Sequence, residues 1–232
     1  MEHSGEHEFT VLSPLHLPGL TPHQALVVEY TWLTMAIIII TVVAVIVSLK
    51  KIPGGWQNAL ELLTAFIENY IVDIIGTRGL RYFPLIITAF TFILVANYIG
   101  LIPGFISPTA SLNTTAGWAI VVFVYYQYVG ISKKGLGYFK HFLGPIPAMA
   151  PIMVIMETIS EFARPFSLSV RLFANIFGGE TIIKFLFAIL AVGLPVVWMA
   201  WDSLITIPIQ ALVFSLLSMV YLGGAIAADE DH

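Results

Sequence analysis

The sequence predicts an all-α polytopic membrane protein with five to six membrane helices, including an amphipathic second helix and two long helices at the C-terminal end. Three observations carry that prediction. The 232-residue chain is 58% hydrophobic and only 10% charged, with a mean hydropathy of +0.91, more apolar than a soluble domain of this size needs to be. Several apolar runs approach the roughly 20 residues that cross a bilayer. The few charges either sit in short connections or gather in one long C-terminal region. The chain has no cysteine, which excludes disulfides, thiolate metal sites and redox chemistry through sulfur.

The whole chain, 1–232, reads as one membrane domain. Residues 1–29 are expected to form an outer N-terminal segment. Its start, MEHSGEHEFTVL, has neither the basic and apolar regions of a signal peptide nor the arginines of a transit peptide, so the first span is expected to direct insertion itself. Residues 30–49 form that span, free of charge, with Trp32 as an interfacial anchor and Lys50-Lys51 as its stop. Over residues 54–77, Gln57, Glu61, Thr64 and Glu68 recur at helical spacing among apolar positions. That segment is an amphipathic helix, either lying in the membrane interface or packed on a polar partner.

Arg78 and Arg81 precede a second span, 82–102, which Pro103-Gly104 and the small polar loop SPTASLNTT close. A third span covers 115–131, followed by Lys133, Lys134, Lys140 and His141. A long helix over 147–194 carries Glu157, Glu161, Arg164, Arg171, Asn175, Glu180 and Lys184, and a final helix over 195–227 carries Asp202 and Gln210 before the acidic tail 228–232. No repeat of fixed period is evident. Seven of the ten Lys and Arg residues fall in two short connections, which the positive-inside rule assigns to the cytoplasm. The N-terminus is then outside and the C-terminus cytoplasmic.

The other three cations, Arg164, Arg171 and Lys184, lie within the long helix and need a different explanation. A charge at mid-bilayer costs from about 3 to more than 10 kcal/mol, so such residues normally face protein or water, and ion conduction is the function they suggest. Steps of four, three, four, three and four place Glu157, Glu161, Arg164, Leu168, Arg171 and Asn175 on one broad face expected to look at something polar. Glu161 and Arg164 either pair with each other or take part in conduction. For Arg171, Asn175 is a neutral neighbour and Glu180 points away, about 180° round and about 13 Å along. Its partner is either a distant carboxylate such as Asp202 or a group on another subunit.

Glu157 lies about 21 Å from Arg171 toward the cytoplasmic side. Two protonatable carboxylates thus flank a cation that keeps its proton, because a guanidinium pKa exceeds about 12. This order suits two half-pathways separated by a barrier better than one continuous pore. In the last helix, Ser203 and Thr206 read either as helix-to-helix hydrogen bonds or as lining of a path, and Gln210 could match the depth of Arg171. Asn97 either lines a water pocket with Asn175 or bonds a neighbouring helix.

The strings SLSVRLFANIFGGE (167–180), ETISEFARP (157–165) and ITIPIQALVFSLLSMVYL (205–222) closely resemble subunit a of F-type ATP synthases, and NYIGLIPG (97–104) with SPTASLNTT (107–115) resembles bacterial members. The resemblance covers nearly the whole chain. It implies a proton-translocating stator subunit, not an enzyme by itself, in the bacterial inner membrane, with two strongly tilted C-terminal helices. By the same resemblance, its partners are the c-subunit rotor ring, the b-subunit peripheral stalk, other ATP synthase subunits and membrane lipid. No cofactor, metal, nucleotide or nucleic acid is implied.

The resemblance makes Arg171 the arginine that faces each passing rotor carboxylate. Asn175, Glu180, Gln210 and Asn97 fall at positions of the outer half-channel, and Glu157 at one of the cytoplasmic half-channel. Seven residues before the glutamine, where some members have a histidine or a carboxylate, this chain has Ser203. Glu180, helped by Asp202, is then the titratable group expected there. The rival readings are a stand-alone ion or solute transporter with a midplane site, a sodium-coupled version of the same subunit, and a structural membrane scaffold.

Overall fold

A computed structural model describes residues 19–49, 54–102, 104–134, 150–189 and 193–227. The described residues are almost entirely helical and contain no strand. In order they form α1 (Pro22–Val47), α2 (Gly55–Ile75), a 3-10 turn (Thr77–Tyr82), α3 (Phe83–Gly100), a second 3-10 turn (Pro108–Ala110) and α4 (Leu112–Lys134). After these come α5 (Ala150–Ile189), α6 (Gly193–Trp201), a π turn (Asp202–Thr206) and α7 (Ile207–Ala227). Five stretches are long and apolar enough to cross a membrane: Pro22–Val47, Thr77–Gly100, Leu112–Lys133, Ile152–Ile189 and Gly193–Ile226. The protein is therefore an all-α, multi-pass membrane protein in which α2 is the amphipathic exception.

Helix α1 starts eight residues before the expected span at residue 30. The signal is local: Thr21 caps the helix by accepting from the Gln24 amide, the Gln24 side chain accepts from the Thr21 amide in return, and Pro22 opens the first turn. Residues 22–29 are thus helical and continuous with the span that follows. Its early residues dock, with Leu26 and Tyr30 buried beside Ile99 and the Tyr30 hydroxyl donating to the Gly104 carbonyl at 3.3 Å. Ile39, Ile40, Val43 and Val47 stay exposed, as suits a surface whose solvent is lipid.

Helix α2 buries Ile67 and Ile71 in the main core and packs against α7. Its Glu61 and Glu68 remain exposed. The core joins these residues to Ile86, Phe90 and Ile93 of α3, Val122 of α4, Leu168 and Leu172 of α5, and Phe214 and Met219 of α7. Helix α5 has 40 residues, which at about 1.5 Å each is about 60 Å, twice a hydrocarbon core of about 30 Å. It is longer than an upright crossing needs, so it either tilts or extends beyond the hydrocarbon core. The expected outer N-terminal residues 1–18, Lys50 and Lys51, Lys140 and His141, residues 147–149 and 190–192 of the expected long helix, and the tail 228–232 lie outside the described residues.

One close approach positions the loop after α3. A Cβ on Gly100 would lie 2.4 Å from the Ser107 Cβ, closer than real atoms come, and a tight 3.1 Å from its backbone. Only glycine lets the returning loop lie on the end of α3. Gly100→Ala is expected to destabilise the protein by about 1–3 kcal/mol through overpacking, read as a lower unfolding temperature in detergent. Gly117→Ala, inside α4 where a Cβ would meet open space, is expected to leave that temperature unlowered or to raise it slightly, since alanine favours the helix by about 0.5–1 kcal/mol.

Candidate functional site

The rotation of α5 about its axis decides which of its charges face protein. At about 100° per residue, Glu161, Leu168, Ser169, Leu172 and Ile176 share a stripe about 100° wide, and all five are buried. Arg171 falls about 110° from the centre of that stripe on one side and Glu180 about 70° on the other. Accordingly Arg171 is exposed and Glu180 half-buried. The single broad face expected from the sequence is therefore divided. Glu161 and Leu168 turn inward, Glu157 and Arg164 are half-buried, and Arg171 and Asn175 lie on the outside.

Among the described residues, Arg171 has no hydrogen bond or ion pair, so pairing with Asp202 is not observed. One turn along, the Asn175 Nδ2 donates to the Gln210 Oε1 at 2.7 Å, tying α5 to α7. Gln210 is buried and thus stands one turn from the level of Arg171.

On the other side of α5 lies a small cleft of about 20 Å³, lined by the polar groups of Asn97, Ser107, Glu180 and Asp202 and by Ile176 and Ile207 among others. The Ser107 amide donates to Glu180 Oε1 at 3.3 Å. The Ser107 hydroxyl donates to the Ala96 carbonyl at 3.1 Å and is hydrogen-bonded to the Thr109 hydroxyl at 2.7 Å. Thr109 in turn donates to Asn97 Oδ1. Asn97 is 3% exposed, and its Nδ2 has no hydrogen-bond partner among the described residues. A buried donor of that kind needs a polar partner, and the cleft can supply one as water. Asn97 is therefore both a hydrogen-bonding residue, to Thr109 in the loop, and a lining residue of a cleft shared with Glu180. Asp202 stands opposite Gly179, where a Cβ would lie 3.9 Å from both carboxylate oxygens.

The remaining candidates separate into supporting parts. Glu161 is 4% exposed and accepts from Tyr126 Oη at 2.7 Å and Gln127 Nε2 at 3.1 Å, both on α4. Its other oxygen is 2.7 Å from Arg164 Nη1, and the Arg164 guanidinium lies 5.5 Å from the centre of the Tyr221 ring on α7. These two charges neutralise each other and clamp α5 between α4 and α7. Glu157 sits one turn before this clamp. Ser203 donates its hydroxyl to the Ala200 carbonyl at 3.0 Å, a local bond rather than a lining position.

Sequence reasoning missed Ser107, Thr109 and Tyr98. The first two lay in a stretch read only as a closing loop, and their density of small hydroxyl residues is the signal that marks them. The third, whose hydroxyl donates to the Ser203 carbonyl at 2.9 Å, offers no sequence signal.

The chain matches the family described as ATP synthase A chain over residues 28–223. It is 44% identical over 222 residues to ATP synthase subunit a 3 of Pelobacter propionicus, covering 96% of this chain and 94% of that protein. It is 43% identical, with the same coverage of both chains, to ATP synthase subunit a of Geotalea daltonii and to that of Geobacter sulfurreducens.

The Glu161 clamp makes a structural prediction. Tyr126→Phe removes a donor from a buried carboxylate and is expected to cost about 1.5–3 kcal/mol in thermal unfolding of the solubilised protein. Combining it with Glu161→Gln is expected to be less than additive, since the two residues share one network.

Proposed function

The chain belongs to the ATP synthase A chain family, and from that premise we propose that it is the proton-path stator subunit of an F-type ATP synthase, with Arg171 as the barrier between two offset half-channels. It is a multi-pass, non-catalytic subunit of the membrane sector and works with other ATP synthase subunits. One observation carries the finer reading: Arg171 is exposed on one side of α5, without an intramolecular partner among the described residues, while Glu180 lines a small cleft about 180° round the same helix.

The face bearing Arg171 meets the ring of c subunits, each with a protonatable carboxylate. A proton enters from outside through the cleft of Asn97 and Glu180 and passes the Asn175–Gln210 contact to a rotor carboxylate. Neutralised, that carboxylate can leave the stator for lipid, because losing its charge removes most of the desolvation cost. After nearly a full turn it returns from the other side and releases its proton into a cytoplasmic half-channel near Glu157. Arg171 favours the ionised carboxylate through its fixed positive charge, which drives that release. The same charge repels protons and prevents direct leakage between the half-channels.

Each charge crossing 100 mV yields about 2.3 kcal/mol, so several protons accompany each ATP. The clustering of Arg78, Arg81, Lys133 and Lys134 beside α3 and α4 supports an outside N-terminus, a cytoplasmic C-terminus and a bacterial inner-membrane setting. The b-subunit peripheral stalk holds this subunit against rotation.

Two sets of variants test the reading in inverted vesicles. Arg171→Lys and Arg171→Ala are both expected to abolish ATP-driven pumping, the alanine variant also leaking protons passively once the catalytic sector is stripped. Near-normal pumping by either would overturn the barrier role. Glu180→Gln is expected to lower pumping at least tenfold without eliminating it, and unchanged pumping would place the outer path elsewhere.

A further inference from the structure

The final helix does not reach Gln210 as an uninterrupted α-helix. Across the π turn Asp202–Thr206, the Ile207 amide bonds to the Asp202 carbonyl, five residues back instead of four. Continuing that register would aim the Ser203 carbonyl at residue 208, which is proline and has no N–H to give. Tyr98 supplies the missing donor, its hydroxyl reaching the Ser203 carbonyl at 2.9 Å. Pro208 and Tyr98 together account for the turn.

The turn changes where Asp202 points. Eight residues of regular α-helix separate Asp202 from Gln210 by about 80° of rotation. A π turn absorbs about one residue, leaving the rotation of seven, within about 20° of the Gln210 direction. Asp202 therefore shares the side of Gln210, faces Gly179 and lines the same cleft as Glu180.

Axial level follows from the antiparallel pairing of the two helices, which sets Asn175 against Gln210 and Gly179 against Asp202. From the Asn175–Gln210 contact, Glu180 lies about 7.5 Å along, and the Asp202 carboxylate, set against Gly179, stands at about the same level of the cleft. The buried, unpartnered Nδ2 of Asn97 lines that cleft as well, independently marking it as a place where a polar ligand such as water is held.

We propose that Asp202 is a proton-carrying residue of this path, brought into the cleft beside Glu180 by the π turn, and that it hands its proton to Glu180. The inference rests on the outer half-channel role given to Glu180 above. A hydrated proton in the cleft forms an O–H bond with a carboxylate oxygen of Asp202 as its bond to water breaks, leaving the acid neutral. The proton then passes through water to Glu180, Asp202 returns to its anion, and Glu180 passes it on toward the rotor carboxylate. Nothing is oxidised or reduced. Tyr98 is a positioning residue, acting only through the turn it holds.

ATP-driven pumping by inverted vesicles, normalised to assembled complex, tests this. Asp202→Asn keeps the shape and hydrogen bonding but cannot titrate, and is expected to lower pumping about tenfold, whereas Asp202→Glu is expected to keep at least half. For acids in series, Asp202→Asn combined with Glu180→Gln is expected to be no worse than Glu180→Gln alone. Tyr98→Phe is expected to lower pumping with Asp202 present and to have no further effect beside Asp202→Asn. Normal pumping by Asp202→Asn while Glu180→Gln fails would overturn this inference and leave the wider reading standing. Normal pumping by both would overturn the outer half-channel itself.

Silver-ion block gives a second measurement that does not depend on the asparagine variant assembling, since this chain has no cysteine of its own. With cysteine-free companion subunits, Asp202→Cys is expected to become sensitive to silver ions, and Leu204→Cys, at a 76% exposed apolar position, to stay insensitive. Insensitivity at 202 would overturn the proposal.

Discussion

A guanidinium cannot shed its charge at any physiological pH, and leaving one at lipid depth costs from about 3 to more than 10 kcal/mol. Arg171 is nevertheless exposed on a helix whose exposed neighbours include Phe166, Val170 and Phe177. The rest of the structure is arranged around that position. Its charge needs a partner that the described residues do not supply, while the titratable groups of α5 that could have neutralised it are turned elsewhere. Glu161 is committed to Arg164, and Glu180 faces Ser107 across the helix.

Keeping those directions apart requires that α5 not roll. Leu168, Leu172 and Ile176 sink into the core and set the rotation through burial of apolar surface, about 1.5–3 kcal/mol for each fully buried side chain. Polar contacts then fix it at three levels: the Glu161 clamp to α4, the Asn175–Gln210 bond to α7, and the Ser107–Glu180 contact from the loop that Gly100 admits. A roll of one residue, about 100°, would carry Arg171 toward the core or Glu180 out of its cleft. Packing far from the charges therefore sets the electrostatics at them.

Much of this was legible in the sequence. Span existence follows from hydropathy, because a bilayer leaves few alternatives to a closed hydrogen-bonded helix, and the opposition of Arg171 and Glu180 follows from helical period alone. The start of α1 is legible in the Thr21-Pro22 and Gln24 capping box, although apolarity alone begins the span only at residue 30. The division of the α5 face was not readable, because helical spacing gives relative angles and only the packing partners give the absolute one. The clamp between Glu161 and Tyr126, 35 residues apart, depends on how α4 meets α5. The π turn lay beyond sequence reasoning for a similar reason: Pro208 hinted at a break, but the five-residue register is held by a tyrosine from another helix.

What faces Arg171 is the question on which everything else depends, and the cysteine-free chain makes it directly measurable. Ser167 and Ala174 flank the arginine on its exposed side. Cysteines placed there, one at a time, should form disulfides with cysteines beside the carboxylate of the c subunit, and ATP-driven rotation should stop when they do. Absence of those cross-links from both positions, in assembled complex where other exposed positions of α5 do react with the rotor, would contradict an arginine directed at the ring.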